Sequence, residues 1–233
     1  MDISLIMSIK VIINNRNRLT TTKNMVEHLL RLNPNEEIII LDNDSSYPPL
    51  LDWYKTIENK VEIRMLPNHG HTAFWTIELD KTIGEYFVYT DSDIELNENF
   101  PIDWKERMMN ILKKHDVRKV ALALRIDDLP EKYALANQVK RNENIWWQKE
   151  VEQDVYEADT DTTFALFKNF NDNCYPSLRM AHEDMIARHV PWYHDLSNLD
   201  EEEKYYLEHL GARQLTQYSK QHKNPEKYGI QLT

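Results

Sequence analysis

The stretch Gly84-Glu85-Tyr86-Phe87-Val88-Tyr89-Thr90-Asp91-Ser92-Asp93-Ile94-Glu95-Leu96 decides how the chain reads. A short β-rich run, Tyr86 to Tyr89, ends in two carboxylates at i and i+2. On a regular strand that spacing sets both side chains on one face. Two ionised carboxylates so placed repel each other unless a cation lies between them. Hard oxygen ligands at a strand end suit Mg2+ or Mn2+ and leave positions open for substrate phosphates. In an open parallel sheet, the carboxyl ends of the strands are also where ligands bind. A solvated loop whose Asp residues cap the next segment satisfies the same pattern, so the flanking sequence has to discriminate.

Upstream, Ile3 to Ile13 is a near-continuous apolar run of the buried parallel-strand type. It breaks at Asn14-Asn15-Arg16-Asn17-Arg18. A helix follows with Thr20 to Thr22 near its start and Met25, Val26, Leu29 and Leu30 on one face. Glu37 to Leu41 reads as a second strand, ending in Asp42-Asn43-Asp44-Ser45-Ser46. Pro48 and Pro49 then precede a helix bearing Leu50, Leu51, Tyr54 and Ile57. Val61 to Leu66 reads as a third strand, closed by Pro67-Asn68-His69-Gly70-His71, and Ala73 to Asp80 is helical. Each strand is followed by a polar cluster, which predicts an α/β fold, a mostly parallel sheet flanked by helices with right-handed crossovers.

Downstream, Trp104 to His115 is an amphipathic helix, and Val120 to Ile126 is a strand closing in Arg125-Ile126-Asp127-Asp128. Asn142 to Glu152, with Trp146-Trp147, reads as a helix, and Thr160 to Phe167 as β-rich. Ser177 to Val190, with His182-Glu183-Asp184 and His189, reads as helical at least in part. A charged helix, Glu201 to Leu210, leads into a polar end.

A chain of 233 residues fits one large domain, or a domain with a small extension. The net charge of −11 argues against a general nucleic-acid binder or a binder of anionic membranes, since both present basic faces. A local basic pocket for phosphates is compatible with it. The single cysteine, Cys174, permits no internal disulfide, which fits a reducing compartment. The opening apolar run is short, is flanked by Asp2, includes Lys10 and lacks a small-residue cleavage pattern, so it reads as a strand rather than a signal peptide. No run is long enough to span a bilayer, and the expectation is a cytoplasmic protein. With 4 glycines there is neither G-x-G-x-x-G nor a Walker loop.

This layout resembles the metal-dependent glycosyltransferases of the GT-A (nucleotide-diphospho-sugar transferase, Rossmann-like) fold, and most closely the family-two-like group, over about Ile3 to Trp192. The quoted breaks carry the resemblance: Ile13-Asn14-Asn15-Arg16-Asn17-Arg18 after the first strand, Leu41-Asp42-Asn43-Asp44-Ser45 after the second, Asn68-His69-Gly70 after the third, then Asp91-Ser92-Asp93. It implies residues 1–195 as the GT-A-like domain and 196–233 as a C-terminal helical extension packed on it.

The resemblance also implies a sugar moved from a nucleoside-diphosphate donor, a UDP-sugar, to a glycan or other hydroxyl acceptor. Asp93 would hold a Mn2+ or Mg2+ ion that neutralises the leaving pyrophosphate, with Asp91 bonding the ribose or the ion. His189 is the candidate third ligand, with His194 second. Asn14, Asn15, Asp42, Asn43, Asn68 and Ser92 stand at strand ends where the nucleotide would lie; Arg18, His69 and Arg125 are positive or polar groups able to reach phosphate or sugar oxygens. For any one of the turn residues, plain turn chemistry is an equal reading. An inverting transferase needs a carboxylate to deprotonate the acceptor. Asp184 of the Glu183-Asp184 pair fits the family pattern, although a solvated helix start explains it as well; Asp161 is the rival. Trp146, Trp147, Trp192 and Tyr193 are stacking candidates that fit a core equally.

Three other readings compete. A phosphatase or phosphotransferase also places D-x-D after a strand, but normally on the first one, whereas three βα units precede it here. A sugar-nucleotide pyrophosphorylase would need a Gly-rich signature that Asn14 to Arg18 lacks. The remaining alternative is a nucleotide-sugar-binding protein without turnover.

Overall fold

The apolar runs become strands because both faces of one sheet are covered. The computed structural model describes residues 8–160, 163–168, 177–214 and 216–230. Strands β1 (Lys10–Asn15), β2 (Ile38–Asn43), β3 (Glu62–Leu66) and β4 (Tyr86–Asp91) alternate with helices α1 (Thr20–Leu32), α2 (Pro48–Ile57) and α3 (Ala73–Thr76). Along each strand successive side chains enter opposite cores. Val11 and Ile13, Ile38 and Ile40, and Val88 pack into the larger one. Ile12, Ile39, Leu41, Phe87 and Tyr89 pack into the smaller one with Phe74 and Phe167. A strand buried on both sides has no polar alternation to show.

Helix α1 buries Thr22, Met25, Val26 and Leu29, the i, i+3, i+4, i+7 stripe of a surface helix. In α2 two prolines occupy the first turn, where the missing N–H costs nothing, and Leu50, Trp53, Tyr54 and Ile57 face inward. The chain continues through β5 (Ile94–Glu95), α4 (Trp104–Lys114), β6 (Lys119–Leu122), α5 (Ala136–Glu143), β7 (Glu150–Glu152), β8 (Val155–Glu157), β9 (Ala165–Lys168), β10 (Ser177–Met180), β11 (Arg188–His189), α6 (Glu201–Glu208) and α7 (Gln217–Lys223).

Among the described residues nine strands form one sheet in the order β3-β2-β1-β4-β9-β6-β10-β8-β7. β1, β2, β3 and β4 are parallel neighbours. β9 is inserted antiparallel between β4 and β6, and β10 is parallel to β6. Only β8 and β9 therefore run against the rest, as a mostly parallel sheet predicts. A separate two-stranded ribbon pairs β5 with β11, register Arg188↔Glu95 and His189↔Ile94.

Two sequence expectations are corrected. Asn142 to Glu152 is not one helix: α5 ends at Glu143, a 3-10 turn spans Asn144–Trp147, and Glu150–Glu152 forms a hairpin with β8. Trp147 packs on Tyr156 of that hairpin, with centroids 5.4 Å apart, and Asp154 turns the chain at a φ of 56°. Ser177 to Val190 is not helical either. Its first four residues are strand β10, fully buried between β6 and β8, where Arg179 is neutralised by Glu143 at 2.6 Å. Its end is β11, so His189 sits on a strand.

The loops after β1 and β2 are knitted together. Asn17, at a φ of 51°, accepts from the backbone N–H groups of Ser46 and Tyr47, while its own N–H donates to Ser45 Oγ. Asn tolerates this left-handed geometry better than most residues.

Candidate functional site

At the carboxyl ends of the parallel strands, side-chain amides form a chain across four of them. The His69 N–H donates to Asn43 Oδ1 at 3.0 Å, Asn43 Nδ2 to Asn14 Oδ1 at 2.6 Å, and Asn14 Nδ2 to Asp91 Oδ1 at 3.2 Å. Strand register makes this possible, because Asn14 pairs directly with Asp91, and the Ser92 N–H extends the ladder to the Asn14 carbonyl. Each amide donates on one side and accepts on the other, so Asp91 is oriented by three strands rather than by its own loop.

Asp93 lies one step beyond. The Val190 N–H donates to its carbonyl at 2.9 Å, and the β5–β11 ribbon brings His189 Nε2 to 3.5 Å from Asp93 Oδ2. Burial opposes ionisation of Asp93, but the His189 imidazole and the Arg18 guanidinium outweigh it and hold the carboxyl below its usual range. Arg18 is ion-paired with Glu203 of α6 and lies 3.8 Å over the Tyr206 ring.

These groups surround a cavity of about 310 Å3, walled on the far side by the C-terminal segment. Burial pushes the phenol of Tyr206 up, and Arg18 acts against the further push from Asp93 and Asp91. His222 accepts from or donates to the Tyr133 hydroxyl at 2.9 Å; burial, then the nearby His194, His189 and Arg18, lowers it to about 3. His194 is lowered to about 4 by burial and Arg18. With values that low, His194 and His222 are neutral near pH 7, and the charged lining of the cavity is mixed, Arg16, Arg18 and Arg213 facing Asp91, Asp93 and Glu203.

The cavity brings together Asn14, Asn15, Arg18, Asn43, Asp91, Ser92, Asp93 and His189. It does not include Asp42, which is fully buried. Its carboxylate accepts from the Ser45 N–H and the Tyr54 hydroxyl, both at 2.8 Å, and burial raises its pKa despite those bonds. Asn68 is engaged in a reciprocal amide pair with Gln214, 2.8 Å each way, and His69 contributes backbone only to the amide chain. Arg125 pairs with Glu183 at 2.5 Å, and Asp184 with Arg107 at 2.7 Å, each lining a different depression. Asp161 lies outside the described residues. Trp146 sits under Arg179 and Trp192 is buried against His189, so neither offers an open ring to the cavity.

The cavity residues that escape the sequence reading include Glu203, Tyr206, Arg213 and His222. The one legible signal is Asp200, whose side chain caps α6 by accepting from the Glu203 N–H. That cap fixes Glu203 on the same helix as the Tyr205-Tyr206 pair.

Among the described residues no group of three or more His, Cys, Asp or Glu is close enough to hold a metal ion. Asp93 and His189 supply a carboxylate and an imidazole at one point, with Asp91 on the neighbouring strand end, a donor set that fits a divalent ion with further positions taken by a ligand. A larger open groove, about 910 Å3, lies at the opposite ends of the strands, between Lys10, Glu37 and Glu62, away from this chemistry.

A mostly parallel sheet presenting D-x-D at the end of its fourth strand is the GT-A architecture of the nucleotide-diphospho-sugar transferases. The family model of Glycosyl transferase family 2 matches residues 10–165, and the chain belongs to that family. No curated protein sequence matches it. Solved structures similar to it include GalNAc-T7 with UDP, GalNAc and Mn2+ (14% identity, TM-score 0.42, covering 69% of this chain and 35% of that one). A mycobacterial protein is similar at 15% identity and TM-score 0.45, over 78% of this chain and 67% of its own. Mannose-1-phosphate geranyltransferase from Thermus thermophilus is similar at 13% and 0.40, over 70% and 50%. The chain spans about a third to two thirds of the length of these structures. No helix among the described residues is long and apolar enough to cross a membrane.

Proposed function

We propose that the chain transfers a sugar from a UDP-sugar to an acceptor hydroxyl, with the donor diphosphate lying in the 310 Å3 cavity over Asp91-Ser92-Asp93. The observation that carries this reading is the approach of His189 to Asp93 across the β5–β11 ribbon, from positions 96 residues apart (189 less 93), beside Arg18. Asp93 and His189 would hold a divalent ion, with Asp91 as neighbour; an imidazole in the set favours Mn2+ over Mg2+, which prefers oxygen alone. Bound there, the ion would neutralise charge on the departing diphosphate.

The protein's own residues do the rest. The Asn43–Asn14 amide chain fixes the direction of Asp91. Arg18, held by Glu203 and Tyr206, adds a buried positive charge next to the diphosphate. We assign residues 1–195 to the transferase domain and 196–233 to a C-terminal extension; within its described part Arg213, donating to the His69 carbonyl, and Gln214, paired with Asn68, fasten it over the turn after β3. Calorimetric titration of UDP tests the reading. The expected result is binding strengthened at least tenfold by Mn2+ and returned to the metal-free value in Asp93→Ala. Mn2+-independent UDP binding would count against it.

A further inference from the structure

We propose that α6 carries an autoinhibitory contact: its Glu203 carboxylate and the donor diphosphate compete for Arg18, so the donor binds by displacing Glu203. This rests on the transferase reading above, which sets the diphosphate beside Arg18. The first turn of α6 is Glu201-Glu202-Glu203, three carboxylates in a row. Two of them reach back to the loop after β1. Glu203 pairs with Arg18 from 185 positions away. The Glu202 carboxylate accepts from the Leu19 N–H at 3.0 Å, from the Thr20 N–H at 3.1 and 3.0 Å, and from the Thr20 hydroxyl at 2.8 Å. The chain thus offers its own carboxylates to a guanidinium, backbone N–H groups and a hydroxyl, the donor types that hold phosphate oxygens.

The Arg18–Glu203 pair is buried but incompletely satisfied. Arg18 and Glu203 are 6% and 1% exposed, yet among the described residues Arg18 Nε and Glu203 Oε1 have no hydrogen-bond partner. A buried charged group with unused hydrogen-bonding capacity keeps part of its desolvation cost. Both residues line the donor cavity together with Asp93, so an anion entering it arrives beside the pair. A diphosphate brings several acceptor oxygens where Glu203 supplies one. Two anions around one guanidinium also repel each other strongly in a site screened from water.

The rest of the segment is fastened by groups that water can replace. The buried residues of α7 are Ser219, Gln221 and His222, all polar. Gln221 and Gln138 form an amide pair at 3.3 and 3.4 Å, and His222 meets the Tyr133 hydroxyl at 2.9 Å. In α6 the one buried apolar side chain is Leu207. Such hydrogen bonds exchange with water at small net cost, whereas a buried apolar face does not. Few buried apolar contacts mark a unit that opens well below the global unfolding free energy. Displacing Glu203 from Arg18 therefore loosens α6 and α7 together.

The sign of one substitution separates competition from support. A Glu203 that only holds Arg18 in place makes Glu203→Gln bind UDP–Mn2+ more weakly. A competing Glu203 makes it bind more tightly, because the fraction of chains ready to bind rises. Calorimetry should show a gain of about fivefold or more in Glu203→Gln, and a smaller one in Glu202→Gln. Hydrogen exchange read by mass spectrometry on the native chain needs no variant to fold. UDP–Mn2+, and inorganic pyrophosphate alone, should each speed amide exchange in α6 and α7 by roughly threefold or more. Unchanged or weaker binding in Glu203→Gln, UDP bound with exchange in α6 unchanged or slowed, or no response to either ligand would each overturn the proposal. Pyrophosphate loosening α6 where UDP does not bind would uphold the competition and count against the donor assignment instead.

Discussion

Asp93 Oδ2 and His189 Nε2 stand 3.5 Å apart, and the ribbon that joins them is anchored by the Val190 N–H on the Asp93 carbonyl. A carboxylate and an imidazole at that distance either pair with each other, with Nε2–H donating, or share a cation. Removing the imidazole separates the two. His189→Ala should abolish the Mn2+ dependence of UDP binding and leave the weak metal-free component, as read by calorimetry. An unchanged Mn2+ effect would remove His189 from the site.

Asn14 tests orientation rather than ligation. Asn14→Ala breaks the amide chain between Asn43 and Asp91 without touching Asp93. Partners that orient metal ligands typically matter by about 10–100-fold in metal affinity. The same loss is expected for Mn2+ in the presence of UDP, read by calorimetry.

The Arg18–Glu203 pair is buried, its side chains 7% and 2% exposed, and it joins the first βα loop to the C-terminal segment. Cutting one partner strands the other's charge, which costs about 3–5 kcal/mol. Glu203→Ala should therefore lower the unfolding midpoint by roughly 6–20 °C. Asp52→Ala, which breaks a pair with Lys55 whose two members are each 73% exposed, should stay within about 0.5 kcal/mol of the native chain.

Acid should weaken the fold before carboxylates titrate. His194 and His222 have folded pKa values lowered to about 4 and about 3 from 6.5. A lowered histidine pKa means the unfolded chain binds protons that the folded one refuses. Stability is then complete above about pH 6.5 and falls as pH drops toward those values, with a slope of up to about 1.4 kcal/mol per pH unit for each histidine. Asp93, depressed below 3.8, loses its own contribution only lower still. Unfolding midpoints between about pH 7.5 and 5 should decline, and His222→Gln should flatten the decline; a level profile would contradict the burial of both imidazoles.

Gly70 lies close against Arg213 of the C-terminal segment at the cavity. It sits at a φ of +65°, and an added Cβ would come 2.9 Å from the Arg213 Cβ. Gly70→Ala meets both a left-handed backbone penalty of about 1–2 kcal/mol and that collision. It should weaken UDP binding measurably, in a titration, while the sheet's circular dichroism is preserved.

The parallel half of the fold is legible in the sequence because β1, β2 and β4 each carry a short apolar run that stops at a polar cluster. Burial on both faces imposes that pattern locally. β10 is not legible, because its strand state comes from pairing with β6, Ser177 to Lys119, across 58 positions (177 less 119), and from Glu143 neutralising Arg179. In the site, Asp91, Asp93 and His189 line one cavity, as the spacing of the two carboxylates and the family pattern lead one to expect. Asp42 is expected to face the nucleotide, but Tyr54, 12 positions on, turns its carboxylate inward. Glu203 is beyond reach for a similar reason: its partner Arg18 is 185 residues away.

The central claim is a divalent ion bridging Asp93 and His189 to a diphosphate. Anomalous diffraction at the manganese edge, from crystals grown with UDP and MnCl2, measures it directly. The account predicts one peak at about 2.0–2.3 Å from a carboxylate oxygen of Asp93 and from His189 Nε2, with the UDP phosphates on its open side. UDP bound with no peak there, or a peak ligated elsewhere on the chain, would contradict it.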